Sequence, residues 1–160
     1  MLHKKKPSSG CSPFLFVIFA QILSMGRIIA VDYGTKRTGI AVTDPLQMIA
    51  SGLTTVATKE LIAFLKKYTR EEGVELMVLG EPKRASGEAS DIEVEISRFR
   101  ESVRKHIPEL KVVRQDERFT SKMAFQTMID SGLSKKKRQN KALIDEISAT
   151  IILQEYLYNK

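Results

Sequence analysis

From residue 25 onward the hydrophobic positions fall into short runs and helical stripes that alternate along the chain. Arg27 to Tyr33, Thr38 to Thr43 and Ala50 to Ala57 are short apolar segments, the first two separated by a Gly-bearing polar turn. They predict three consecutive strands paired as an antiparallel meander. Thr58 can cap a helix whose apolar positions Leu61, Ile62, Leu65 and Tyr68 recur at helical spacing and which stops near Gly73. Val74 to Leu79 is an apolar run suited to a buried parallel strand. Ser90, Asp91, Ile92 and Glu93 form a capping-box pattern, and Ile92, Ile96, Phe99 and Val103 make one helical stripe that ends before Pro108. Leu110 to Arg114 returns as a fifth strand, Thr120 opens a third helix that Gly132 terminates, and Gln139 to Tyr158 reads as a long final helix. The fold class predicted is α/β, a mixed five-stranded sheet of a three-strand antiparallel meander plus two parallel strands, flanked by helices. There is no internal repeat.

The first 24 residues break this pattern. Lys4, Lys5 and Lys6 precede an apolar run from Phe14 to Leu23 that resembles the charged and apolar parts of a secretory signal. The run is too short to span a bilayer comfortably, and no clean small-x-small cleavage site follows it. Met25 stands directly before the first predicted strand. The expectation is an upstream start-site artefact over residues 1–24 and one compact domain over 25–160, with real export as the competing reading. A chain of 160 residues suffices for a single core.

Composition adds a direction. Lys plus Arg number 26 against 19 Asp plus Glu, a formal net charge of +7. Such an excess points to an anionic partner and says nothing of fold; Lys4, Lys5 and Lys6 supply part of it. Cys11, the single cysteine, lies in the extension. The domain therefore has no disulfide, thiol nucleophile or zinc site, in keeping with a reducing cytoplasm. Tryptophan is absent and no exposed aromatics are evident, so a base-stacking platform is not expected.

Three acidic stretches sit at predicted element ends: Asp32 in VDYGTKRTGIAVTD, Asp116 and Glu117 in DERFTS, and Asp145 in NKALIDEISAT. A carboxylate at the end of a buried strand is costly unless something cationic meets it. Hard divalent cations take oxygen ligands and clamp the reacting oxygens in many nucleases and polymerases. Open α/β sheets gather their sites at the carboxyl ends of parallel strands, and Asp32 and Glu117 fall at or just after the ends of the first and fifth. Ala142, Asp145, Ser148, Ala149 and Ile152 share one face of the final helix, and the small side chains among them permit close approach to the strands.

Plainer readings stand beside these. Asp145 follows Lys141 by four residues, the spacing of an ordinary surface pair on a helix. Asp116 and Glu117 could pair with Arg118 or cap the next helix, and Asp44 before Pro45 ends a strand and starts a turn. His3 lies in the extension, and His106 in a helix's last turn, where a cation suits the dipole. The basic residues form two groups, Lys36 with Arg37 on the first turn, and Lys135, Lys136, Lys137, Arg138 and Lys141 just before Asp145. Such runs are commonly solubilising, but beside a phosphodiester site they would hold the backbone without reading sequence. Lys83, Arg84 and Gly87 suggest a third basic loop.

Asp32-Tyr33-Gly34, Lys36-Arg37 and Gly39, then Asp116-Glu117-Arg118 with Thr120-Ser121, then Lys141 and Asp145 with the run Ile151 to Leu157, resemble the YqgF/RuvX family of RNase H-like nucleases. The resemblance covers Met25 to Tyr158, and three strands, helix, strand, helix, strand, helix is the order of an RNase H-like sheet. It implies Asp32, Glu117 and Asp145 as catalytic ligands of magnesium or manganese, with Lys36, Arg37, Arg118, Lys135, Lys136, Lys137, Arg138 and Lys141 available to nucleic acid. The function implied is cytoplasmic maturation of the 5′ end of pre-16S ribosomal RNA in the ribosomal particle, by a monomer or homodimer. Holliday-junction resolution, on branched DNA, is the alternative for the same fold. One departure is Gly80-Glu81-Pro82, where many members read Gly-Leu-Pro. Glu81 is either a further ligand or a substitution on a solvent-facing turn. Two other classes share features with this chain: an actin-like or sugar-kinase ATPase, which needs a second such domain, and a non-catalytic nucleic-acid-binding module, which does not need three convergent acids.

Overall fold

The structure is a computed structural model that describes residues 26–82, 92–116 and 120–160. Five strands form one sheet: β1 (Arg27–Asp32), β2 (Arg37–Thr43), β3 (Ala50–Ala57), β4 (Val74–Glu81) and β5 (Lys111–Asp116). The helices are α1 (Leu61–Glu72), α2 (Glu93–His106), α3 (Thr120–Asp130), the short α4 (Lys135–Arg138) and α5 (Lys141–Tyr158). The strand order is β3-β2-β1-β4-β5, antiparallel from β3 to β1 and parallel from β1 to β5. This is the mixed sheet that the hydrophobic pattern predicts. Among the described residues no helix is long and apolar enough to cross a membrane.

Alternation along the strands divides the core in two. Ile29, Val31, Ile40, Met77 and Leu79 face α1 and α2, where Leu61, Leu65, Ile96, Phe99 and Val103 close over them. Ile28, Ala30, Ala41 and Val78 face the other way, against Ala149, Ile152 and Leu153 of α5. Each buried Leu or Ile side chain contributes on the order of 1.5–3 kcal/mol. The two faces differ in bulk, since Ala30, Ala41 and Ala149 lie where α5 meets the sheet and let that helix come close. α3 packs on the outside of α5 and buries Ala124 and Met128.

Local chemistry departs from expectation at four places. The Lys135 run is a single helical turn, α4, and α5 starts at Lys141, where Asn140 caps it by accepting from the Ala142 and Leu143 amides at 3.1 and 3.4 Å. Thr58 does not cap α1. It opens a 3-10 turn (Thr58–Glu60), and its hydroxyl donates instead to the Gly34 carbonyl at 2.6 Å. Glu93, expected to complete a capping box, makes a bidentate pair with Arg114 of β5 at 2.8 and 2.9 Å; Ser90 and Asp91 lie outside the described residues. Exposed aromatics are present among the described residues, Phe125 on α3 and Tyr158 at the end of α5. Gly73 ends α1 with φ +64°, the left-handed C-cap that its position predicts.

Candidate metal centre and nucleic-acid interface

Asp32 is the last residue of β1, two positions beyond Ala30, so alternation turns it toward α5. Its neighbour Tyr33 turns the other way and packs against Phe99 of α2, ring centroids 5.1 Å apart. Burial, helped by the charge of Glu95, holds the Tyr33 hydroxyl above the ordinary tyrosine range, so it stays neutral. Asp32 is paired across the β1/β2 ladder with Gly39. Such partners have Cα atoms roughly 4.5–5.5 Å apart.

Asp145 reaches this point from α5. A β-carbon at Gly39 would stand 2.0 Å from the Asp145 carbonyl oxygen, so the helix backbone rests on the missing side chain of Gly39. One turn earlier, the Thr55 hydroxyl of β3 donates to the Ala142 carbonyl at 2.8 Å and fixes the start of the helix over the sheet. Thr55 is itself the register partner of Gly39. Asp32, Gly39 and Thr55 are thus one row across three strands, and Asp145 lies on top of it. The convergence of Asp32 and Asp145, residues 113 positions apart, follows from this row.

The cations gather at the same edge. Arg37, two residues before Gly39 and so on the same face of β2, donates from Nε to Oδ2 of Asp145. This pairing replaces the surface pair with Lys141 that helical spacing suggests. Lys36 is exposed in the turn, and Lys141 is exposed at the start of α5. Gly34, Thr35, Lys36, Arg37, Lys141 and Asp145 line one open cleft of about 260 Å³. The turn that carries Lys36 is tied down by Thr58, whose amide donates to the Lys36 carbonyl at 3.1 Å while its hydroxyl serves the Gly34 carbonyl. The Thr58 and buried Thr38 hydroxyls, 3.0 Å apart, complete the tie.

Other candidates lie elsewhere. Glu81 ends β4 as an ordered strand residue rather than in a turn, in register with Asp116. Alternation from Leu79 and Arg114 carries both toward α2, the face opposite Asp32. Lys135, Lys136 and Lys137 are exposed on α4 and Arg138 is partly covered. Asp44 serves its own turn, accepting from the amides of Leu46, Met48 and Ile49 at 3.0, 2.8 and 2.7 Å. His106 is exposed, with Nδ1 2.8 Å from the Ser102 carbonyl oxygen. Glu117, Arg118, Lys83, Arg84 and Gly87 lie outside the described residues. Among the described residues no group of three or more His, Cys, Asp or Glu could hold a metal ion.

Sequence reasoning passed over two residues that build this site, Thr55 and Asn140, and gave Thr58 a capping role where tertiary contact sets its partner. Asn140 had a signal, since Asn directly before Lys-Ala-Leu is a favoured N-cap. The two carboxylates supply hard oxygen donors suited to magnesium or manganese and fit such an ion chemically. A wholly buried hydroxyl without a partner among the described residues, Ser148 Oγ, lies one turn beyond Asp145 on α5 and adds to that fit.

Comparison with known proteins gives the family and the fold. The family RuvX, described as Holliday junction resolvase, matches residues 26–159. A protein of Flavobacterium johnsoniae named "Putative pre-16S rRNA nuclease" is 61% identical over 136 residues, covering 85% of this chain and 99% of its own. One of the same name from Christiangramia forsetii is 63% identical over 134 residues, covering 84% and 99%. In structure the chain is similar to T. thermophilus RuvC in complex with a Holliday junction substrate, with TM-score 0.53 and 16% identity over 84% of this chain and 94% of that one. That likeness shows the fold, an RNase H-like sheet with flanking helices. This chain belongs to the RuvX family.

Proposed function

We propose that this protein is a divalent-metal-dependent nuclease that hydrolyses phosphodiester bonds and trims the 5′ end of pre-16S ribosomal RNA. The observation that carries the reading is the seating of Asp145 on the Asp32–Gly39 row beside a cleft lined by Lys36, Arg37 and Lys141. The names of the Flavobacterium and Christiangramia relatives support the substrate. Residues 25–160 form the nuclease domain in this reading, with residues 1–24 apart, which the family match over 26–159 supports.

Asp32 and Asp145, joined by Glu117, hold the metal. Magnesium or manganese there supplies polarisation of the phosphodiester and a lowered pKa for the attacking water. Lys36 and Lys141 flank the cleft and neutralise phosphate oxygens, which positions the strand without selecting bases. Arg37 balances Asp145 and stands within reach of the same phosphates. Arg118 and the α4 cations Lys135, Lys136, Lys137 and Arg138 extend the track for the RNA backbone. Glu81 takes no part, since alternation turns it to the other face. The site of action is the cytoplasm, with the ribosomal particle as partner, and the protein acts as a monomer or homodimer, since only a junction resolvase needs paired two-fold sites.

The test is cleavage of an end-labelled pre-16S RNA 5′ extension by the full chain, with magnesium or with chelator, beside Asp145→Asn and a four-way DNA junction. Metal-dependent trimming of the RNA, lost by at least a hundredfold in a folded Asp145→Asn protein, is expected; removing one electrostatic contributor of this kind typically costs about 10²–10³ in rate. Selective cutting of the junction would move the substrate to branched DNA, the reading that the RuvX family description favours. Binding without cutting of either would make the protein a non-catalytic nucleic-acid-binding module.

A further inference from the structure

Three helical threonines share one habit. Thr69, Thr127 and Thr150 each donate to the carbonyl four residues back, at 2.8, 2.9 and 2.9 Å. That is the usual resting partner of a serine or threonine in a helix. Ser148 differs. It is wholly buried in α5, and among the described residues its Oγ has no hydrogen-bond partner. A hydroxyl buried in this way is a net cost to folding, and alanine would fill the same place without it.

The position of Ser148 suggests what the hydroxyl is for. Successive residues of a helix are turned by about 100° and rise by about 1.5 Å. Glu146 lies over Gly52 of β3, and Asp145 over Gly39 of β2. Ser148 falls on the opposite side of Asp145 from Glu146, toward β1 and β4, and roughly 4.5 Å further along the axis. α5 runs toward the start of β1, because Lys160 at its far end bonds Gln47, which in turn donates to the Gly26 carbonyl. Ser148 therefore sits beneath Asp145 beside the β1 face that carries Asp32 and Ala30, at the floor of the carboxylate pair.

We infer that Ser148 is a positioning residue of this site, its hydroxyl bonding into the hydration shell of a divalent cation held by Asp32 and Asp145. The inference rests on the nuclease reading above. Magnesium and manganese bound by few carboxylates keep several waters, and a water on the buried side of the ion, away from the open cleft, needs a protein partner. A serine hydroxyl both donates and accepts, so it can meet a water in either orientation. Its folding cost is then offset when the ion binds.

The test is manganese binding, followed by the electron-paramagnetic-resonance signal of free Mn²⁺, with thermal unfolding in metal-free buffer. It uses the full chain as wild type, Ser148→Ala, Ser148→Cys and Thr150→Ala. Ser148→Ala should unfold at the same or a higher temperature than wild type, yet bind Mn²⁺ about tenfold more weakly or worse, the usual effect of losing a group that orients a metal's ligands. Ser148→Cys, close in size with a weak donor, should fall in the same direction. Thr150→Ala, whose hydroxyl serves only its own helix, should bind as wild type does. Unchanged Mn²⁺ affinity in both Ser148 variants, or an equal loss in Thr150→Ala, overturns the inference while leaving the nuclease reading intact. Failure of the wild-type protein to bind Mn²⁺ at all overturns both.

Discussion

A β-carbon added at Gly39 would meet two backbone atoms of Asp145, the carbonyl oxygen at 2.0 Å and the carbonyl carbon at 2.3 Å, so Gly39→Ala must push α5 off β2. At Gly52 the obstacle is the Glu146 side chain, 2.5 Å away at Oε1, which can swing aside. Gly39→Ala is expected to cost about 1–3 kcal/mol in urea unfolding, as overpacking does. It should also lower single-turnover cleavage about a hundredfold, the effect of misplacing a reacting group by an ångström. Gly52→Ala should cost less on both measures. Away from the site, Asp44 offers a pH test. Its three backbone hydrogen bonds, that from Ile49 foremost, hold its carboxyl below the ordinary aspartate value. Stability from a depressed carboxyl is fully present above the unfolded pKa, about 3.9, and is lost as pH falls through the lower folded value. Asp44→Asn should therefore unfold at lower temperature than wild type at pH 6, and the gap should close as the pH approaches about 2.

Among the elements, α5 matters most to function, and its start is secured by three contacts: Asn140 at the cap, Thr55 on Ala142, and Gly39 under Asp145. Asn140→Ala is expected to cost about 1 kcal/mol in denaturant unfolding. Cleavage should fall further than that loss of stability explains, because the first turns carry both Lys141 and Asp145. The strands were legible because their apolar runs and Gly-bearing turns are local signals. The α4 turn was not, since Lys-Lys-Lys-Arg has no apolar stripe to betray a period. Thr58 and Glu93 each stood where a cap belongs, and tertiary partners, the Gly34 carbonyl and Arg114, took their side chains instead. The Arg114 hydrogen bonds hold the Glu93 carboxyl below its ordinary range, a pairing that no spacing rule could foresee.

On the scale of the whole molecule, charge and topology work together. The excess of 26 basic over 19 acidic residues is spread along the chain, but Lys36, Arg37 and Lys141 share one cleft and α4 precedes the helix that closes it. Replacing Lys135, Lys136, Lys137 and Arg138 with glutamine should weaken RNA binding across sequences. The slope of log affinity against log salt should become shallower by about 0.7 for each single-strand phosphate that the protein no longer neutralises. An unchanged slope would take α4 out of the interface. That Asp32 ends a strand and that Asp145 shares the small-residue face of the final helix was legible from motif order and helical spacing. The cationic partner of Asp145 was not, because helical spacing pointed to Lys141 and only the packing of α5 on β2 brought Arg37 to it instead.

The row formed by Asp32, Gly39 and Thr55 exists as soon as the meander has paired, but it becomes a site only when α5, the last element in chain order, lies down on it. A species clipped before residue 145 holds Asp32 without Asp145, and one in which α5 has not docked holds both without bringing them together. In the reading proposed above, such forms lack the assembled site, so activity arrives only with the completed fold.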